Sequence, residues 1–198
     1  MRRLMGIAIA LGAVWAGPIL GKEGAMPDLK GKQVLMVIAA ADFRDEEYFE
    51  PYNLLRRCGA AVTVASSIKG AAVSVFGKTV TTDRQIAECQ AGDFDAVVFI
   101  GGPGAAAFFT NATAHGLARA AVDQGKVLAA ICIAPVTLAN AGVLKGKQAT
   151  CFPSLQKQLA MQGARVVQSD VVQDGKILTA SGPQAAREFA EALVRMLE

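Results

Sequence analysis

Histidine is nearly absent from this chain: His115 is the only one among 198 residues. A histidine-rich metal site is therefore excluded. The four cysteines, Cys58, Cys89, Cys132 and Cys151, form neither a CxxC pair nor a zinc-ligand spacing. In an oxidising compartment four cysteines allow three complete pairings, and their spacing selects none of them. Net charge is also small, with 20 Lys and Arg against 17 Asp and Glu. Arg2 and Arg3 supply much of that surplus, and no basic stripe is interleaved with aromatics, so nucleic acid is not an expected partner. Arg56-Arg57 reads as the wet face of a helix. A GxGxxG loop and a Walker lysine are missing, and no organic cofactor or metal is implied.

What the chain has is apolar residues (53%), few charges (19%) and 20 glycines. That composition argues against disorder and for a compact α/β protein with tight turns. Its length suits one domain with a sizeable core. Arg2-Arg3 followed by the apolar run 4–16 and the small-residue context Val14-Trp15-Ala16 reads as a signal peptide. The run is too short to cross a bilayer comfortably. Export to the periplasm or beyond is the expectation, with a cytoplasmic protein carrying an apolar N-terminal helix, or membrane contact through residues 4–16, as alternatives. Residues 17–31 read as a lead-in and 32–198 as a single domain.

Within that domain, the continuously apolar run 33–40 reads as a buried strand, 60–67 and 127–131 as further strands, and 93–104 as an acidic turn, a buried strand and a glycine loop. ADFRDEE (41–47) reads as a loop and helix start, and helices are expected over 48–59, 83–90, 114–124, from Cys132 to about Asn140, over 154–161 with Ser154 as cap, and at the C-terminus to about Leu197. Pro51 would sit early in its helix. Residues 69–80 suggest a short pair of strands, QATCF (148–152) a strand ending at Pro153, and Asp174-Gly175 a hairpin turn. Alternating strands and helices give a mostly parallel sheet with helices on both faces.

Cys132 is the informative residue. It ends an apolar strand, and Pro135 opens a helix three residues later, as in a nucleophile elbow. A following helix N-terminus would favour a thiolate. Ligands of such sheets gather at the carboxyl ends of the strands. There the chain also has Gly101-Gly102-Pro103-Gly104, which lets a backbone N–H face an oxyanion, and the cluster Asp45, Glu46, Glu47 and Glu50. A protonated carboxyl there would assist a thiolate, whereas an ionised one would oppose it. His115 and Cys89 read as structural residues, and Cys151 as packed or as a partner for an oxidised Cys132.

The segments VLMVIAA, Glu46 to Pro51, DAVVFIGGPG, AAICIAPVTLANAGVLKGKQAT and LTASGP resemble the ThiJ/PfpI superfamily in order and spacing. This superfamily is class I glutamine amidotransferase-like and includes the Parkinson's-disease-associated protein deglycase. The resemblance covers about residues 32–198 and implies a flavodoxin-like three-layer α/β sandwich, commonly a homodimer or higher oligomer. It implies Cys132 as nucleophile, Glu47 as its acidic partner, and the Gly102 and Ile133 amides as the oxyanion site. It departs from protease-like members, which have a histidine where Ile133 stands and a partner-subunit glutamate where Ala106 stands. In the Parkinson's-associated branch a histidine lies near the position of Phe152. The expected function is cysteine-dependent glyoxalase-like or deglycase-like chemistry on a small reactive aldehyde or glycated substrate. Redox sensing through Cys132 oxidation and a PfpI-type peptidase or amidase are the alternatives.

Overall fold

The computed structural model describes residues 26–198, so the expected leader over 1–16 and residues 17–25 lie outside the described residues. The first buried run forms β1 (Gln33–Val37), followed by β2 (Ala41–Phe43), α1 (Asp45–Arg57) and β3 (Ala61–Ser66). A hairpin of β4 (Gly70–Ser74) and β5 (Thr79–Thr82) leads to the two-residue β6 (Arg84–Gln85). Then come β7 (Ala96–Phe99), α2 (Ala112–Asp123), β8 (Val127–Ile131) and α3 (Pro135–Asn140). The chain continues through β9 (Gln148–Ala149), α4 (Gln156–Met161), β10 (Arg165–Val166), β11 (Val171–Asp174), β12 (Ile177–Ala180) and α5 (Ala186–Leu197).

Seven strands make the main sheet in the order β11-β12-β8-β7-β1-β3-β6. Every pairing is parallel except β11 with β12, whose turn lies at Asp174-Gly175. All of β7 and β8 is buried, which is why their sequences run apolar without alternation. α1 packs on α5 and α2 on α3, so helices cover the sheet and complete the flavodoxin-like three-layer α/β sandwich. From β1 the chain steps outward to β3, whereas from β7 it steps the other way to β8. The strand order therefore reverses between β1 and β7, and right-handed crossovers put α1 and α2 on opposite faces. The loops leaving these strands part at that point, opening a crevice at their carboxyl ends.

α1 starts at Asp45, inside the segment 41–47 expected to hold a loop and a helix start, which brings Glu47 into its first turn; Pro51 lies inside the helix. Pro51 has no N–H to donate, so the Glu47 carbonyl loses its helical partner. Ala41–Phe43 is a strand because it pairs with β4, a long-range contact that no local pattern announces. The segment after Asp83 is extended and then a 3-10 turn, since the Asp83 N–H and carboxylate prolong the β3 edge through Val64. QATCF keeps its strand only to Ala149: Thr150 N–H turns to Thr179 Oγ1, and Phe152 N–H turns to the Cys132 carbonyl. Ser154 does not cap α4, because Pro153–Leu155 forms a 3-10 turn and the helix begins after Leu155.

Candidate active site

Cys132 leaves β8 with φ +64°, in the left-handed region that side chains avoid. The turn is held from both sides of its peptide unit. Its N–H donates to the Ala180 carbonyl of β12 at 2.9 Å, and its carbonyl accepts from Phe152 N–H at 2.8 Å. Such strain costs on the order of 1–3 kcal/mol and persists only where the surroundings fix it. The expected elbow is present, and Cys132 is only 6% exposed.

The glycines after β7 make room for it. A Cβ on Gly101 would lie 2.5 Å from Glu47 Oε2 and 2.7 Å from Cys132 Cβ. Gly102 has φ +96°, and a Cβ there would collide with the backbone of Asp42, Phe43 and Arg44. Arg44 N–H donates to the Gly101 carbonyl at 3.1 Å, joining the loops that follow β1 and β7. The Gly102 and Ile133 amides both donate towards the Cys132 sulfur and favour its anion.

The four acidic residues of the first helix have separate fates. Asp45 is buried and accepts from Ser74 Oγ (2.8 Å) and Phe76 N–H (3.1 Å), pinning the β4–β5 hairpin. Glu46 receives both Arg44 Nε (2.7 Å) and Nη2 (3.2 Å). Glu50 is exposed on α1. Glu47 is fully buried, and neither carboxylate oxygen has a well-formed hydrogen bond among the described residues. Of the cluster, Glu47 alone lines the pocket with Cys132.

Burial raises Glu47 to about 7, against weaker opposing pulls from Cys132, Arg44 and the Gly101 amide. Burial, and then the neighbouring Glu47 charge, raises the Cys132 thiol to about 12. Burial and the facing carboxylate thus oppose the thiolate expected from the helix terminus. α3 has only six residues, and the amides at the turn do not offset desolvation and the carboxylate. Ionisation of either group opposes that of the other, so the pair gives up its protons in two steps. Arg44 adds a positive charge facing both, while its guanidinium also sits 4.8 Å above the Phe76 ring centre.

A cavity of about 220 Å³ opens onto the pair, walled by Arg44, Gly102, Pro103, Ile133, Phe152 and Pro183. The four residues expected at the site, Cys132, Glu47, Gly102 and Ile133, therefore come together. His115 does not: its Nε2 engages the Phe109 carbonyl at 2.9 Å on α2. Ala106 is exposed and does not line the cavity. Cys151 is buried, its thiol directed to the Phe152 carbonyl at 3.4 Å, and all four cysteines are free thiols. No cluster of three or more His, Cys, Asp or Glu suited to a metal occurs among the described residues. Sequence reading assigned Arg44 no role at the site. Arg44 follows directly from its place before the acidic run, but only the tie to Gly101 turns it to the cavity.

Residues 32–196 match the DJ-1/PfpI family. An uncharacterised protein of Methanocaldococcus jannaschii is 37% identical over 100% of this chain and 98% of its own length. A deglycase of Pyrococcus abyssi is 30% identical over 83% of this chain and 99% of its own. The crystal structure of a ThiJ/PfpI domain protein from Brachyspira murdochii superposes with a TM-score of 0.83 at 33% identity, covering 85% of this chain and 97% of that one. The elbow, the glycine loop and the buried acid thus stand in a chain that belongs to the DJ-1/PfpI family.

Proposed function

We propose that the protein is a cysteine-dependent enzyme acting on small reactive carbonyls, in the manner of a glyoxalase or deglycase. The observation that carries this reading is the pairing of Cys132 with a buried, otherwise unpartnered Glu47 whose proton leaves near neutrality. A resting thiolate is not needed. As Sγ bonds to the aldehyde carbon, the thiol proton passes to the Glu47 carboxylate and the carbonyl π pair moves to oxygen. The Gly102 and Ile133 amides hold that oxyanion, and Glu47 returns the proton to give a hemithioacetal. With a 1,2-dicarbonyl, Glu47 then takes the C–H proton of that carbon as the electron pair closes an enediol, and returns it to the adjacent carbon; the hemithioacetal hydroxyl proton passes to the adjacent oxygen, leaving a 2-hydroxy thioester. Water cleaves it to a 2-hydroxy acid and restores the thiol. A cavity of about 220 Å³ suits a substrate head of a few carbons.

The similarity to a Pyrococcus deglycase supports the same substrate chemistry. Peptidase chemistry loses support, because no histidine lines the cavity to relay a proton to a leaving amine. The test is consumption of methylglyoxal and release of lactate without added glutathione. Wild type should turn it over, Cys132→Ser should fall to background, and Glu47→Gln should lose about 100-fold or more. Full turnover by Cys132→Ser would refute the reading. No turnover together with a peroxide-dependent mass gain confined to Cys132 would replace it with redox sensing.

A further inference from the structure

Beside the Cys132 cavity lies a second depression of about 310 Å³, lined by Gln156, Gln168, Ser169, Asp170, Ser181 and Gln184. Phe152 and Pro183, walls of the first cavity, are followed directly in the chain by Pro153 and Gln184, walls of the second, so the two adjoin. A Cβ on Gly182 would lie 3.4 Å from Phe152 Cδ2 and 3.1 Å from Gln184 Oε1, so ring and amide stand side by side. Phe152 is 39% exposed.

The second depression is chemically unlike the first. Ser181 Oγ donates to Asp170 Oδ1 at 2.6 Å and accepts from Gln184 Nε2 at 3.0 Å, while Gln168 Nε2 donates to Gln156 Oε1 at 2.7 Å. These bonds leave Asp170 Oδ2, Gln168 Oε1 and Gln184 Oε1 as acceptors, and Gln156 Nε2 with the second N–H of Gln168 and of Gln184 as donors, without partners among the described residues. The depression thus offers acceptors and donors side by side, and its complement is a chain of hydroxyls, which both donate and accept. Among the described residues no Lys or Arg lines the depression, and Asp170 repels anions, which disfavours a phosphate or carboxylate tail.

We propose that this depression is a subsite for the polyhydroxyl chain of a sugar-derived 1,2-dicarbonyl, whose dicarbonyl end enters the Cys132 cavity past the Phe152 ring. The proposal rests on the carbonyl chemistry given above, and it names the substrate as a dicarbonyl with an uncharged polyol tail rather than a bare short aldehyde. The wall of apolar ring and hydrogen-bonding amides is the usual surface for a chain with C–H and O–H faces.

The experiment compares kcat/KM for 3-deoxyglucosone and methylglyoxal in wild type, Gln184→Leu and the double variant Gln156→Leu/Gln168→Leu. The ratio of the two should fall about tenfold in both variants, carried by KM for the longer substrate. An unchanged ratio overturns the subsite while leaving the carbonyl chemistry standing. If wild type turns over neither compound, the carbonyl reading has failed, and the subsite is judged by NMR with sorbitol. Sorbitol should then shift the side-chain amide signals of Gln156, Gln168 and Gln184, and absence of those shifts overturns the subsite as well.

Discussion

Glu47 faces Cys132 across Gly101, with no space for even a methyl group between them: a Cβ on Gly101 would stand 2.5 Å from the Glu47 Oε2 and 2.7 Å from the Cys132 Cβ. The glycine is thus a spacer that sets how closely acid and thiol approach. Gly101→Ala should part the pair, destabilise the fold by about 1–3 kcal/mol and remove most methylglyoxal turnover. Urea unfolding and initial rates on the same preparation check both effects. A variant with wild-type rates would show that the spacing is not critical.

Burial of Glu47 makes stability fall with rising pH. Its folded value, about 7, lies above the ordinary carboxylate value, so the folded state binds this proton more tightly than the unfolded chain does. The contribution is fully present below about 4.5 and lost as pH passes through about 7. Glu47→Gln escapes that loss. It should match wild type in urea at acid pH, near 4.5, and exceed it by roughly 2–3 kcal/mol at pH 8. A variant less stable than wild type at pH 8 would speak against the buried-acid account.

Arg44 should act through charge on both reacting groups. It faces Glu47 and Cys132 and is oriented by Glu46 at 2.7 Å. Arg44→Gln removes a field that favours both anions, so the rise of activity with pH should move to higher pH, with the KM for methylglyoxal changed less than kcat. A pH profile that superposes on that of wild type would remove Arg44 from the account.

Asp45 belongs to the scaffold, although it sits two residues from Glu47. It ties the β4–β5 hairpin through Ser74 Oγ at 2.8 Å and Phe76 N–H at 3.1 Å. Asp45→Ala should cost about 2 kcal/mol and speed proteolysis within residues 70–82. Its effect on kcat should be far smaller than that of Glu47→Gln, which separates the two neighbouring acids.

These four acids show where sequence reading stops. The strands β1, β7 and β8 were legible because burial on both faces leaves uninterrupted apolar runs. The elbow was legible because Cys132 joins such a run to Pro135. Glu47 was reachable through the family resemblance, but among Asp45, Glu46, Glu47 and Glu50 composition alone cannot choose. Their roles follow from the helix starting at Asp45 and from what each then meets, Asp45 the distant Ser74 and Phe76 and Glu47 the Cys132 turn. The raised thiol was missed for a similar reason. The local pattern suggests a helix terminus that favours an anion, whereas burial and the facing carboxylate come from tertiary packing. Phe152 was legible only as a missing histidine, and its place between two cavities needs the turn that Phe152 N–H makes to the Cys132 carbonyl.

The central claim is that Glu47 controls the Cys132 proton, and it is tested most directly by the rate of Cys132 alkylation against pH, read by mass spectrometry. Wild type should show two rises: one near pH 7, as the pair gives up its first proton, and one towards about 12. Glu47→Gln should lose the first rise and keep a single one, above the range of an ordinary thiol because burial remains, and below that of wild type because the facing charge is gone. Identical profiles in the two proteins, or a single wild-type midpoint well below 7, would contradict it.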